Sequence, residues 1–327
     1  MRIGCRDDRS SSRWRASRRA YRTTLFCLVI CMCLFPIKNK NRGLVQKRFR
    51  EAVDACHGFS QPLSVSNDAL FSTQISEILL KIDHIFILSI DMCELKLPRS
   101  FAGRASCVDG RKLDVCAPKE FIRGPYTHAM KVSFTHAAVL YLAQKASYRH
   151  VALIEDDVAV RHGIFSEHLL PDFSNIFYTS TWSMIRFGFR PYFLEKMSRE
   201  PCPTKCRCYI KQNMAREFCK LPKSGCDMRS SDFYIIHKNS YAPLLSKLLD
   251  LKQANSKRII DTAPMRSLAN QWLILPQASI QTKLDIPIDY QIGLGALYVK
   301  KCAMPRPVPR IVSQQFVNTS VQYYHAL

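Results

Sequence analysis

"SYRHVALIEDDVAV" (residues 147–160) decides how the chain is read, because an apolar run of strand length ends there in three consecutive carboxylates. Val151, Ala152, Leu153 and Ile154 form the short aliphatic run expected of a buried strand. Glu155, Asp156 and Asp157 then follow in a chain whose formal net charge is +22. Adjacent like charges repel, so either water screens them or a cation sits among them. In an open α/β sheet, ligands bind in the crevice beyond the carboxyl ends of the strands, and the triplet occupies such an end. Carboxylates clustered there suit a hard divalent cation, Mn²⁺ or Mg²⁺. Along an extended chain residues i and i+2 share a side, which makes Glu155 and Asp157 the expected metal ligands and turns Asp156 elsewhere. The competing reading is a solvated acidic turn that caps a following helix.

Working outward, "YTHAMKVSFTHAAVLYLAQKAS" (126–147) has helical spacing of its apolar residues and is rich in Ala. "HIFILSID" (84–91) is a compact apolar run that opens the folded domain as a strand, and a second strand leads to "CVDGRKL" (107–113), where Asp109-Gly110 marks a turn. Downstream, "WSMIRFGF" (182–189) is a further strand, and "SDFYIIHKNSYAPLLSKLLDL" (231–251) reads as strand, turn and amphipathic helix. Strands alternating with helices predict an α/β layered domain with a largely parallel sheet.

The chain has 327 residues, enough for one large domain or two ordinary ones, and at 47% hydrophobic it can build a substantial core. The charge is uneven: residues 1–50 hold 14 Lys and Arg against 2 Asp, which leaves 34 against 24 for the rest. A moderately basic body suits phosphate-bearing partners. No zinc-finger spacing, RNP-like aromatic motif or helix-turn-helix signature accompanies the charge, so nucleic acid is not an expected partner.

Eight arginines in residues 1–22 precede an uninterrupted apolar run over 25–37. That order reads as a basic cytoplasmic tail (1–24) and a signal anchor, with a cleaved signal peptide and a mitochondrial presequence as competing readings. The expectation is a single-pass type II protein of the Golgi or ER membrane, with a stem or linker over 38–80 and a luminal domain over 81–327. Cysteine usage agrees: of 14 Cys, ten lie in the body and five of those fall within residues 202–226. Their spacing, C-x3-C-x-C-x10-C-x6-C, departs from the paired C-x2-C of structural zinc sites, which favours disulfides. Asn318-Thr319-Ser320 is a glycosylation sequon.

In order along the chain, "ILSID" (87–91), "CVDGRKL" (107–113), "SFTHAAVLYLAQKASYRHVALIEDDVAV" (133–160) and "SDFYIIHKNSYAPLLSKLL" (231–249) resemble the segments of glycosyltransferase family 25, the enzymes of lipooligosaccharide and collagen galactosylation. "PIDYQIG" (287–293) and "PRPVPRIVSQQ" (305–315) fall where that family has a Pro-x-Asp step and a Gln-bearing tail. The resemblance implies a GT-A-like nucleotide-sugar-binding domain and a metal-dependent transfer of a hexose, such as galactose, from a UDP-sugar to a glycan or glycoprotein hydroxyl. It implies Glu155 and Asp157 as metal-binding positions, Asp91 and Asp109 beside the nucleotide, and Asp289 as the acceptor-side base of an inverting displacement. The chain departs from the family at "MCELKLPRS" (92–100), where the family carries a basic pair, and at the Cys-rich insert 202–226. A reading from another class is a catalytically silent luminal binding protein on the same fold; a metal-dependent phosphoesterase would need further acid or His ligands at other strand ends.

Overall fold

A computed structural model of the chain describes residues 43–66, 72–89, 97–160, 164–179, 181–191, 202–211, 215–221, 224–226, 228–275, 277–281 and 288–305. The chain forms two compact units, Met1–Glu51 and Ala52–Leu327. In the first, described residues 43–51 are helical; the elements below belong to the second.

The strands are Ser60–Pro62 (β1), Val65–Ser66 (β2), His84–Ser89 (β3), Leu97–Pro98 (β4), Ala105–Asp109 (β5), His150–Glu155 (β6), Val158–Val160 (β7) and Met184–Arg186 (β8). They continue with Arg190–Pro191 (β9), Cys208–Lys211 (β10), Ala215–Leu221 (β11), Met228–Arg229 (β12), Phe233–His237 (β13), Gln271–Ile274 (β14), Ser279–Gln281 (β15) and Ala303–Pro305 (β16). The principal helices are Thr73–Leu79 (α1), Gly110–Cys116 (α2), Thr127–Lys145 (α3), Leu169–Thr179 (α4), Tyr241–Leu248 (α5) and Ile288–Cys302 (α6).

Ten strands form one sheet in the order β1-β5-β3-β6-β13-β8-β14-β11-β10-β16. Seven of the ten run in one direction and β1, β11 and β13 run against them, so the α/β expectation holds for a mixed sheet. β3 lies between β5 and β6, and the strand order therefore reverses at β3. In open α/β sheets such a reversal is where ligands bind, beyond the carboxyl ends of the strands, which here are those of β3 and β6.

The strands owe their places to the two-residue alternation of side chains. Ile85, Ile87, Ala152, Ile154, Phe233 and Ile235 face one way into a core that also holds Ile75 and Ile78 of α1 and Phe173 and Ile176 of α4. Tyr234 faces the other way, where its ring stacks on His136 of α3 with centroids 5.8 Å apart. Ser72 caps α1 by accepting from the Ile75 amide, and Asp109 caps α2 by accepting from the Arg111 and Lys112 amides. Asp109-Gly110, expected to be a turn, is thus a helix start; Asp serves both because its side chain accepts from nearby backbone amides.

The folded unit reaches back into the segment read as a stem. β1 pairs antiparallel with β5, and the Cys56–Cys116 disulfide ties that segment to the end of α2. The cysteine cluster is oxidised as expected: Cys202–Cys302, Cys206–Cys226 and Cys208–Cys219 are disulfides. Those six half-cystines, with Phe189, Leu273, Leu294 and Tyr298, make a second core. The insert also adds β10 and β11 to the main sheet. Among the described residues no helix is long and apolar enough to cross a membrane; the run 25–37 and the sequon at Asn318 lie outside them.

At the amino ends of β3 and β6, burial and neighbouring positive charge pull the pKa of His84 and of His150 down to about 4. His150 packs between Phe177, Trp182 and His237. The unfolded chain binds these protons near pH 6.5 and the folded one near 4, so stability falls as pH drops through that window. The urea midpoint is expected to decline steadily from pH 6.5 to 4 with little change above 7, and His150→Phe is expected to reduce that slope.

Candidate functional site

β6 ends at Glu155 and the chain turns at once through Asp156 and Asp157 into β7. The turn removes the alternation by which Glu155 and Asp157 were expected to converge. Each acid is held in its own way. Glu155 accepts on both oxygens: Ser231 Oγ donates to Oε1 at 2.7 Å and Gln281 Nε2 donates to Oε2 at 2.6 Å. His136 Nε2 lies 3.3 Å from Oε1, and its Nδ1 lies 2.8 Å from the Tyr234 hydroxyl. Burial raises the pKa of Glu155, but the His136 and Ser231 hydrogen bonds and the Arg190 charge outweigh it and hold the carboxyl below its ordinary value.

Asp156 ties two strand ends together. Ser89 Oγ, at the end of β3, donates to its Oδ2 at 2.6 Å, and its amide donates to the Leu88 carbonyl at 2.9 Å. Both contacts lie at the reversal of strand order. Asp157 is pushed up to about pKa 6 by burial first and then by the charges of Glu155 and Asp156.

The donors reach Glu155 because β13 runs antiparallel to β6. Phe233 pairs with Ile154, so the residues entering β13 stand beside the residue leaving β6, and the Glu155 amide donates to the Asp232 carbonyl at 2.8 Å. Asp232 is buried, accepts from Ser230 Oγ and from Ser279 Oγ (2.9 Å), and is pushed up to about pKa 7 by burial and by Glu155. The fully buried Arg186 of β8 donates to the carbonyls of Met228 (3.3 Å), Arg229 (2.7 Å) and Ser230, fixing the segment that presents the serines. β15 pairs antiparallel with β7 and carries Gln281 to the site. Gln291 of α6 grips the Gln281 backbone from both sides, accepting from its amide at 3.2 Å and donating to its carbonyl at 2.8 Å.

Of the other expected site residues, Asp109 stands at the same sheet edge, registered with Ser89, where its carboxylate caps α2. Asp289 is exposed in the first turn of α6, two positions before Gln291. Asp91 lies outside the described residues. Carboxylate oxygens are the right donors for Mn²⁺ or Mg²⁺. Both oxygens of Glu155 already accept from the protein, so a cation held there would share them with Ser231 and Gln281; Asp156 and Asp157 follow it in the turn. Among the described residues no three His, Cys, Asp or Glu side chains gather as a metal site. Ser231, Gln281 and Tyr234 carry no local signal in the sequence, since each acts through a contact far along the chain.

No protein-family model matches the chain, and no curated protein matches it. Among solved structures, UDP-glucose pyrophosphorylase complexed with UDP-glucose is similar at a TM-score of 0.30 and 11% identity, over 67% of this chain and 99% of that one. The apo form of a UDP-glucose pyrophosphorylase is similar at 0.30 and 10%, over 73% and 92%. At that TM-score neither likeness bears on function, and the reading below rests on this chain's own residues.

Gly188 lies against the buried acid: a Cβ there would meet Asp232 Oδ2 at 2.1 Å and Ser279 Oγ at 2.5 Å. Gly188→Ala is expected to destabilise the domain by about 2 kcal/mol or more, because backbone or a buried hydrogen-bonded group must give way. Thermal melting followed by circular dichroism checks this; an unchanged midpoint would contradict the packing described.

Proposed function

We propose that the chain is a metal-dependent glycosyltransferase that moves a hexose, such as galactose, from a UDP-sugar to a hydroxyl of a glycan or glycoprotein. The observation that carries this reading is the acidic turn at the reversal of strand order, where Asp156 joins the ends of β3 and β6 and Asp157 follows it. The order of family 25-like segments supplies the reaction class. A bound Mn²⁺ or Mg²⁺ would neutralise charge on the departing diphosphate. Asp157 is the principal ligand candidate with Asp156 beside it, and Glu155 orients the turn from behind.

Asp289 takes the proton from the acceptor hydroxyl as oxygen attacks the anomeric carbon and UDP departs. Its support is position: Asp289 sits two residues before Gln291, which holds Gln281 against Glu155. Asp109 and Asp91 remain the candidate nucleotide-side acids. The disulfides favour an oxidising compartment, in keeping with a luminal domain behind a Golgi or ER signal anchor at 25–37. The hydrogen bonds that Glu155 already accepts from Ser231 and Gln281 favour a second reading, the catalytically silent luminal binding protein.

A donor screen that measures UDP release with and without Mn²⁺ separates the two. Metal-stimulated turnover with one nucleotide-sugar is expected, and Asp157→Ala is expected to lower it by about 100-fold or more while the circular dichroism spectrum is retained. UDP binding without turnover would select the silent protein, and full activity in Asp157→Ala would remove Asp157 from the metal site.

A further inference from the structure

The donor's diphosphate still lacks cationic partners, since "MCELKLPRS" (92–100) has no basic pair where the resembled family has one. We propose that Arg190 and Arg229 bind that diphosphate, a reading that rests on the nucleotide-sugar donor proposed above. β9 and β12 form a two-stranded antiparallel ribbon in which Arg190 pairs directly with Arg229. Residues directly opposite in such a pair project from the same face with Cβ atoms about 5 Å apart. Both arginines are partly exposed, so a ligand can reach them. Like charges set directly opposite repel; the carboxylates of Glu155, Asp232 and Asp261 offset part of that repulsion, and an anion shared between the two guanidinium groups would offset more.

The ribbon is aimed at the acidic turn. Arg190 Nη2 donates to Gln281 Oε1 at 2.7 Å, and Gln281 Nε2 donates to Glu155 Oε2 at 2.6 Å. A single side-chain amide therefore separates the Arg190 guanidinium from the carboxylate that ends β6. Gln291 holds the Gln281 backbone on both sides, which fixes where that side chain starts. Arg190 Nε is buried with no acceptor among the described residues. A buried donor in that condition calls for an oxygen, and the planar guanidinium fork matches two phosphate oxygens at once. Burial raises the pKa of Asp261 while the charges of Arg229 and Arg190 lower it, so this acid already lies in the field of both arginines. With the acidic turn and Arg190 joined through Gln281, the site offers both carboxylates for a cation and fixed positive charge to one diphosphate.

Calorimetric titration of the full-length protein with UDP, inorganic pyrophosphate and uridine tests this. Arg190→Ala and Arg229→Ala are each expected to weaken UDP and pyrophosphate about 10- to 100-fold and to leave uridine unchanged. Arg190→Lys, which keeps the charge and loses the fork, is expected to fall between, and with Arg229→Ala it carries the test should Arg190→Ala fail to fold. Equal UDP and pyrophosphate affinity in the variants and the wild type would overturn the arginine assignment and leave the proposed donor standing. Pyrophosphate binding that needs Arg190, without any preference for UDP, would keep the arginine site and overturn the nucleotide-sugar reading. Wild-type protein that binds neither overturns both.

Discussion

A buried carboxylate is costly unless every oxygen finds a donor, and the site is organised by meeting that demand at Glu155. Its partners come from three places in the chain, His136, Ser231 and Gln281, at separations of 19, 76 and 126 residues. Each requirement has an architectural consequence. His136 needs α3 packed on the Tyr234 face of the sheet. Ser231 needs β13 to run against β6, so that its entry meets β6's exit. Gln281 needs the β7–β15 ribbon folded over the turn and α6 docked behind it. The polarity of one side chain thus connects the sheet's direction to the placement of its helices.

The second core answers a different problem. The strands beyond β14 are made of mixed polar sequence, a poor basis for a core of their own. Three disulfides supply the cohesion, and Cys202–Cys302 reaches across a sequence separation of 100 residues to the last turn of α6. Tyr298 adds a hydrogen bond from its hydroxyl to the Cys206 carbonyl at 2.7 Å. Gly295 lets that helix lie close to the chain beneath it, since a Cβ there would meet Gln277 Oε1 at 2.7 Å. The Cys-rich insert is therefore the support on which α6 rests.

β3, β6, β13 and α3 are legible in the sequence because their signals are local: unbroken aliphatic runs and helical spacing in an alanine-rich stretch. β1, β10 and β11 are not, because strands of polar or mixed composition are defined by their pairing partners. The acidic triplet is legible as a cluster, and its place at a strand end follows from the apolar run before it. The division of labour within it is not. An extended chain would set Glu155 and Asp157 together, but the turn at Asp156 and the donors brought by β13 and β15 give the three acids different tasks. Antiparallel β13 is the pivotal fact here, and nothing in "SDFYIIH" states its direction.

The long reach from Glu155 to Gln281 and Gln291 has a consequence for biogenesis. A chain made from its amino end exposes β6 and its acids well before β15 and α6 emerge, and Cys202 waits for Cys302 over the same interval. Until then Glu155 lacks its Gln281 donor and the growing domain carries thiols open to premature pairing. Completion of the Glu155 site therefore waits for Gln281 to be made, and the closure of Cys202 waits for residue 302; a chain cut before 281 would lack the Gln281 donor, and one cut before 302 would leave Cys202 without its disulfide partner.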